Sequence, residues 1–383
     1  MKAFSCVIGP ENLSALTESA REKAFRRYHG VVAPRAKTNG KPNGRIGGGR
    51  SGTSIQDVAR EAKVSIATVS RVVNQPTLVT EETASRVRDA IKKLGYVPNA
   101  YAQGLSGRGG KVLGIVLPDI FGEFYSELLR GADGEARRLG YHLLVSSDAH
   151  DHGHPTRTEN LAFGLIDGLA LMMTEPNVEL WRETLDAALP TVVLDAEVNE
   201  PGVDSVSVDN TEGTREATEH LLSSTAPDRC FFVGGPKENF DTKARAEVFC
   251  ATLAKAGRPC TEPQVSCGEY SVDWGRSWAR ERLRHAGLKG CAVLAANDEI
   301  ALGVMQAAQD AGVRVPEDLK VVGFDDTRLA TLVRPSLSTV RVPLQDVGAA
   351  AVRLLVERVT DSEKPATRMK VGTKLVVRES SRS

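Results

Sequence analysis

The chain has 383 residues, 41% of them hydrophobic, and its 49 lysines and arginines balance 49 aspartates and glutamates. This length suits two or three domains with buried cores, and no apolar run is long enough to span a membrane. The first residues lack the basic start and apolar middle of a secretory signal, and the six cysteines are scattered singly without metal-binding spacing. We therefore expect a cytoplasmic protein with reduced thiols, no bound metal and no other cofactor.

The zero net charge hides an asymmetry along the chain. Residues 1–110 contain 18 basic and 8 acidic residues, whereas the remainder contains 31 basic and 41 acidic residues. A basic front and an acidic back favour an end that faces a polyanion, joined to a body that repels polyanions. A solvated basic surface would have the same composition, so the charge supports nucleic-acid binding only together with a motif.

Residues 1–52 are interpreted as a disordered basic extension. Residues 33–52 are rich in glycine, asparagine and proline, contain five basic and no acidic residues, and have too few apolar residues for a core. Two interpretations stay open. The extension is either a basic arm that adds non-specific phosphate contacts, or an upstream segment from a misassigned start codon.

A helix-turn-helix is predicted within residues 53–97. Ser65 is a good N-cap for its second helix, because the hydroxyl can accept from free backbone N–H groups of the first turn. Val64 and Val69 occupy the positions of a hydrophobic staple, which sets the angle at which the chain enters the helix. The outer face of this helix is then formed by Ile66, Ala67, Thr68, Ser70 and Arg71.

Two further helices should complete a three-helix head. The first should begin near Thr53, which has the spacing of a capping box to Gln56. The third should begin at Thr80 and present an apolar stripe to the head, and Gly95 is the residue expected just past its end.

A gapless signature of roughly fifty positions runs through this head. It comprises Asp57-Val58-Ala59, Val64-Ser65, Thr68-Val69-Ser70-Arg71-Val72, Asn74, Gly95-Tyr96 and Pro98-Asn99. On these residues the chain resembles the lac repressor family of bacterial transcription regulators. The resemblance implies an α + α/β fold with a helix-turn-helix head (53–97), a hinge (98–110) and an effector-binding and dimerisation domain (111–383). That domain would have two subdomains, like a periplasmic binding protein. Lys63 departs from the family, which usually has glycine at this turn position.

By this resemblance the second helix would lie in the major groove of DNA. We expect Arg71 to form a bidentate contact to guanine, and Ile66 and Ala67 to meet thymine methyl groups. Phosphate contacts are expected from Ser65, Thr68, Ser70 and Asn74. The hinge would add Asn99 and Leu105 to the DNA-binding residues, with Leu105 wedged into the minor groove. A plain flexible linker is the alternative interpretation of the hinge.

From Lys111 onward, short apolar runs alternate with amphipathic helical stretches, which predicts βαβ units and parallel sheets. The candidate strands are VLGIVLP, YHLLVSS, DGLALMM, TVVLDA, SVSVDN, CFFVGG, VLAAND, LKVVGFDD and, at the end, KLVVRES. The length fits two sheets, which the resemblance makes two subdomains with a cleft between them. The chain should cross between them near Ser207, at 335–343 and before the last strand.

The candidate effector site lies in this cleft, because parallel sheets bind ligands beyond the carboxyl ends of their strands. Arg245, Asn297 and Asp325 follow candidate strands and match effector-binding positions of the family. A guanidinium, an amide and a carboxylate can together satisfy several hydroxyls of a sugar. The resemblance adds two aromatic positions, and a further acid follows the second strand: Tyr270, Phe124 and Asp148. Structural alternatives are an Arg245–Asp325 ion pair, a helix cap at Asn297, and core packing of the aromatics.

Two other kinds of site, a metal site and an enzyme active site, have only weak signals in the sequence. The alternating histidines of AHDHGH could bind Zn²⁺, but a solvated loop is the favoured interpretation of His150, His152 and His154. GGPKENF lacks the second glycine and the Lys-Ser/Thr of a P-loop, and there is no G-x-S-x-G elbow. We therefore expect no enzymatic activity.

These features predict a sequence-specific DNA-binding transcriptional regulator, a repressor, controlled by a sugar or sugar-derived effector in the cleft. A homodimer on a near-palindromic operator is expected, because no leucine heptad tail follows the last strand. We expect it at the nucleoid of the bacterial cytoplasm, without a membrane partner. A solute-binding protein of the same cleft fold and a purine-responsive regulator stay open, and so does the sign of the effector's action.

Overall fold

The computed structural model describes residues 54–74, 78–96, 110–147, 165–176, 181–182, 184–185 and 189–382. The chain forms two compact units. One unit contains the helices of the head, and the main part of the other, the body, begins at Lys111. Several sequence-based predictions fall outside the described residues: the extension 1–52, Asn99, Leu105, Asp148, His150, His152, His154 and the side chain of Asn74.

The head consists of helices α1 (Ile55–Glu61), α2 (Ile66–Asn74) and α3 (Glu81–Leu94). Each helix contributes a fully buried valine to their common core: Val58, Val69 and Val87. Gly95 ends α3 in the left-handed conformation, with φ of 60°, as predicted.

The start of α1 corrects a prediction. The capping box is formed by Ser54 and Asp57 instead of Thr53 and Gln56. The Asp57 carboxylate accepts from the Ser54 backbone N–H over 3.0 Å and from its hydroxyl over 2.6 Å. Asp57 is a better partner than Gln56, because its negative charge also interacts favourably with the N-terminal end of the helix dipole.

The body contains two six-stranded sheets. The first sheet has the order β11-β5-β4-β3-β1-β2 and the second the order β12-β10-β9-β8-β6-β7. Their strands are β1 (Val112–Leu117), β2 (His142–Ser147), β3 (Gly168–Met172), β4 (Thr191–Leu194), β5 (Asp204–Val208), β6 (Cys230–Gly234), β7 (Val265–Cys267), β8 (Cys291–Ala295), β9 (Leu319–Asp325), β10 (Ser338–Arg341), β11 (Arg368–Val371) and β12 (Lys374–Val376). All described pairings are parallel except that of β10 with β12.

Helices connect these strands: α4 (Glu123–Arg138), α5 (Asn210–Leu222), α6 (Phe240–Lys255), α7 (Val272–His285), α8 (Asp298–Asp310), α9 (Leu329–Leu332) and α10 (Leu344–Thr360). The chain passes from one sheet to the other between β5 and β6, between β10 and β11, and between β11 and β12. The predicted fold class, a helix-turn-helix head with a two-sheet α/β body, is confirmed.

Three strands have no counterpart among the predicted ones: β7, β10 and β11. β7 and β11 are edge strands in which every residue is at least partly exposed, so they do not need an apolar run. β10 is short and contains only one aliphatic residue, Val340, so it has no hydrophobic run that would predict a strand. The surrounding sheet supplies the hydrogen bonds that hold such strands in place.

Candidate DNA interface and effector cleft

The second helix of the head, α2, begins as its sequence predicts. The Thr68 backbone N–H donates to the Ser65 hydroxyl over 3.1 Å, so Ser65 caps the helix. Val69 is fully buried and Val64 partly buried against the same core, as in a hydrophobic staple. Lys63 has a φ of 53°, the left-handed conformation that glycine would adopt more readily.

The predicted DNA-contact residues that the structure describes lie in the first turns of α2 and at its N-cap. Ser65, Ile66, Ala67 and Arg71 are exposed, and Thr68 and Ser70 are half-buried. Ile66 is 47% exposed, so its side chain is accessible to a partner. These turns of α2 therefore present both apolar groups and a guanidinium to a partner.

The body contains a cavity of about 360 Å³ at the carboxyl ends of strands from both sheets. Five predicted effector residues line it together: Phe124, Arg245, Tyr270, Asn297 and Asp325. Phe124 comes from α4, which follows β1 of the first sheet, and the other four come from the second-sheet side. The volume is in the range of small-molecule sites.

Arg245 is buried in this cavity wall, with 2% of its surface exposed. Its Nη2 donates to Asp241 over 2.6 Å, its Nε to Asn210 over 2.8 Å and its Nη1 to the Ala296 carbonyl over 2.6 Å. Its ion-pair partner is thus Asp241, one helical turn earlier, and the alternative of a structural pair with Asp325 is wrong. The guanidinium also lies 3.7 Å from the centre of the Phe324 ring.

Two further predicted residues are held by local hydrogen bonds. Asn297 caps α8, because its Oδ1 accepts from the Ile300 backbone N–H over 2.8 Å. The Tyr270 hydroxyl donates to Asn239 over 3.0 Å and lies 2.8 Å from the Thr242 hydroxyl. Both side chains line the cavity while they stabilise its wall, so the structural and the ligand-facing interpretations are compatible.

Sequence reasoning missed four acidic residues of this cavity: Asp119, Asp195, Asp241 and Glu299. Asp119 and Asp195 come just after β1 and β4, so the rule that selected Asp325 would also have selected them. Asp241 is four residues before Arg245 on α6, a spacing that places two helical side chains on one face. Glu299 lies in the first turn of α8 and has no signal of this kind.

Asp325 has an unpaired carboxylate oxygen in the described cavity wall. The residue is buried, has a φ of 102°, and its Oδ1 has no hydrogen-bond partner among the described residues. Burial raises the pKa of Asp325 to about 7; Arg245 lowers this pKa, whereas Asp241 and Glu299 raise it. Burial likewise raises the pKa of Asp195 well above its usual value.

The described part of the chain has neither a candidate metal site nor a helix that could span a membrane. No group of three or more metal-ligating side chains occurs there. None of the described helices combines the length and the apolar character that crossing a bilayer requires.

The comparisons with known proteins cover both units. Residues 54–99 match bacterial regulatory proteins of the lacI family, and residues 206–381 match a periplasmic binding protein-like domain. Catabolite control protein A of Priestia megaterium is 35% identical over 305 residues, which is 79% of this chain and 92% of that protein.

Solved structures of two transcription regulators resemble the chain over most of its length. The transcriptional regulator CelR, in complex with cellobiose, is 30% identical with a TM-score of 0.66. The lac repressor dimer, bound to operator and the anti-inducer ONPF, is 26% identical with a TM-score of 0.76. Each comparison covers 86% of this chain and 99% of the other. The chain therefore belongs to the lacI family of bacterial regulatory proteins, whose members are transcription regulators and not enzymes.

Proposed function

We propose that this chain is a DNA-binding repressor controlled by a carbohydrate that binds in the cleft. The observation that carries the effector proposal is the chemistry of the cavity wall, where carboxylate and amide groups alternate with the rings of Phe124, Tyr125 and Tyr270. Hydroxyl groups can donate to the oxygens, and the apolar face of a sugar ring can pack on the aromatics. The cellobiose complex of CelR supports this ligand class.

The DNA side of the proposal rests on the exposed residues of α2. Arg71 would read a guanine, Ile66 and Ala67 would contact thymine methyls, and the polar residues of the helix would bind phosphates. Residues 53–97 would form the DNA-binding domain and 98–110 the hinge, with Asn99 and Leu105 at the operator centre. The lac repressor dimer on its operator supports a homodimer on a near-palindromic site. The repressor would then act at the nucleoid of the bacterial cytoplasm, where operator DNA lies.

The switch would act through the two sides of the cleft. Hydrogen bonds between described residues join the two sides: the Phe240 N–H donates to the Thr174 carbonyl over 2.8 Å, and the Leu329 N–H donates to the Glu123 carboxylate over 2.9 Å. A sugar that touches both sides would favour one arrangement of the sheets. It can shift the equilibrium only by the difference between its affinities for the two arrangements.

Selection of binding sites from random DNA by the purified full chain tests this proposal. We expect a near-palindromic consensus, and we expect a sugar from a panel of mono- and disaccharides to change the affinity for that site. Nucleobases form a second panel, because a purine effector is the competing ligand class. Binding that is independent of sequence at every salt concentration would contradict the repressor proposal, and a response to nucleobases alone would contradict the carbohydrate proposal.

A further inference from the structure

The charge of the effector cavity points to a more specific ligand. Five carboxylates and one guanidinium line the described cavity wall, without a lysine or histidine: Asp119, Asp195, Asp241, Glu299, Asp325 and Arg245. A neutral polyol needs both donors and acceptors from its site. This wall supplies many more acidic groups than basic ones.

The guanidinium of Arg245 does not balance these acidic groups, because it already forms an ion pair with Asp241. Arg245 and Asp241 are 2.6 Å apart and only 2% and 7% exposed. Asn210 joins them, since its amide donates to Asp241 over 2.7 Å and its oxygen accepts from Arg245. Among the described residues, no cationic side chain lies within ion-pair distance of Asp195, Glu299 or Asp325.

The unpaired carboxylate of Asp325 is a second, independent indication of a cationic ligand. It is 6% exposed and lines the cavity, and its Oδ1 is buried without a hydrogen-bond partner among the described residues. Leaving such an oxygen unpaired is unfavourable, and more so if it is charged. An ammonium group would satisfy it best, because it brings up to three N–H donors together with a compensating charge.

We propose that the effector is an amino sugar whose protonated amine pairs with Asp325 and is attracted by Glu299. The inference rests on the proposed function, because it places the ligand in the same cleft. The rings of Phe124, Tyr125 and Tyr270 add to the selection, since aromatic faces attract cations as well as apolar sugar faces. Sugar phosphates and sugar acids are disfavoured, because their negative charge would meet carboxyl groups and would find no unpaired cationic side chain in the described cavity wall.

Calorimetric titration of the full-length protein with matched sugars tests this proposal. Glucosamine, galactosamine and mannosamine are each compared with the parent hexose and with the N-acetylated sugar, which retains the nitrogen but not its charge. We expect at least one amine to bind about tenfold more tightly than both neutral counterparts, equivalent to about 1.4 kcal/mol.

Two carboxylate variants locate the preference in the cavity. Asp325→Asn and Glu299→Gln retain the size and polarity of the side chains, and each should reduce the ratio between amine and parent-sugar affinities toward one. Glu281→Gln on α7 is the matched control, because Glu281 is exposed and lies outside the cavity wall, and it should leave the ratio unchanged.

The outcomes separate this inference from the proposed function. A neutral sugar that binds as tightly as its amine and changes operator affinity would overturn the amino-sugar inference and leave the carbohydrate repressor standing. An amine preference that survives both variants would also overturn it. Failure of every sugar in calorimetry and in the operator assay would count against both proposals.

Discussion

Arg245 and Asp241 form a buried ion pair within one turn of α6, with Nη2 of the arginine 2.6 Å from Oδ2 of the aspartate. Asn210, from the start of α5, bridges the two side chains. This arrangement orients the guanidinium at the wall of the effector cavity. The position of Arg245 therefore depends on Asp241, which the sequence analysis did not include among the effector-site residues.

Removal of the charge of Asp241 should therefore destabilise the body. Asp241→Asn leaves a buried guanidinium without its counter-ion, so we expect the free energy of unfolding in urea to fall by about 3 kcal/mol. The control is Asp273→Asn, which removes the partner of Arg276 from a pair whose carboxylate side chain is 88% exposed. That variant should change stability by less than about 0.5 kcal/mol. Equal effects of the two variants would contradict a structural role for the buried pair.

Arg71→Ala should remove sequence discrimination from the head. Arg71 is exposed on α2, and loss of a bidentate contact to guanine costs about 1–3 kcal/mol of discrimination against other bases. Competition binding to the selected operator and to scrambled DNA measures this difference. Arg86→Ala removes the same charge from the exposed face of α3 and should weaken binding to both DNAs alike. A uniform loss with Arg71→Ala would assign Arg71 to phosphate binding.

Lys63→Gly should stabilise the head. Lys63 has a φ of 53°, and a non-glycine residue in this conformation costs roughly 1 kcal/mol. Amide hydrogen exchange in α1 and α2 should therefore slow by a factor equivalent to about 0.5–1 kcal/mol. The same substitution in the last turn of α3, Lys92→Gly, should accelerate exchange, because glycine has a low helix propensity and the lost positive charge interacts favourably with the C-terminal end of the helix dipole. Faster exchange with Lys63→Gly would show that the lysine side chain itself stabilises the turn.

Asp325 should make the stability of the unliganded protein depend on pH. The pKa of Asp325 is raised from 3.8 to about 7, mainly by burial. Between these pH values the folded state holds a proton that the unfolded state has lost, so stability should fall as the pH rises from about 4 to 7. Asp325→Asn cannot ionise and should not suffer this loss.

Urea denaturation at pH 5 and at pH 8 measures that difference. The stability of the variant relative to the natural chain should be higher at pH 8 than at pH 5 by on the order of 1–3 kcal/mol, because most of the loss in the natural chain develops between these two pH values. Asp310→Asn, an exposed aspartate paired with Arg280, is the control and should give the same small difference at both pH values. A gain with Asp325→Asn that does not vary with pH would mean that the carboxylate is ionised throughout.

The helix-turn-helix and most strands could be predicted from the sequence because their signals are local. Ser65 caps a helix that starts at the next residue, and the apolar runs of the body need no knowledge of their partners. The cavity positions Asn297 and Asp325 were also accessible, since the carboxyl ends of parallel strands meet at one edge of a sheet. Local rules also misplaced the cap of α1 by one residue, where Ser54 and Asp57 compete with equally plausible neighbours.

Only the tertiary structure decided which charged groups meet. Residues far apart in sequence come together in the fold: Asn210 accepts a hydrogen bond from Arg245, and Arg245 and Asp325 line the same cavity. That Arg245 pairs with Asp241 and leaves Asp325 unpaired depends on side-chain distances within the cavity, which no periodicity encodes. The cluster of carboxyl groups follows from the same convergence, because burial and the proximity of other acidic groups raise pKa values that would be ordinary on the protein surface.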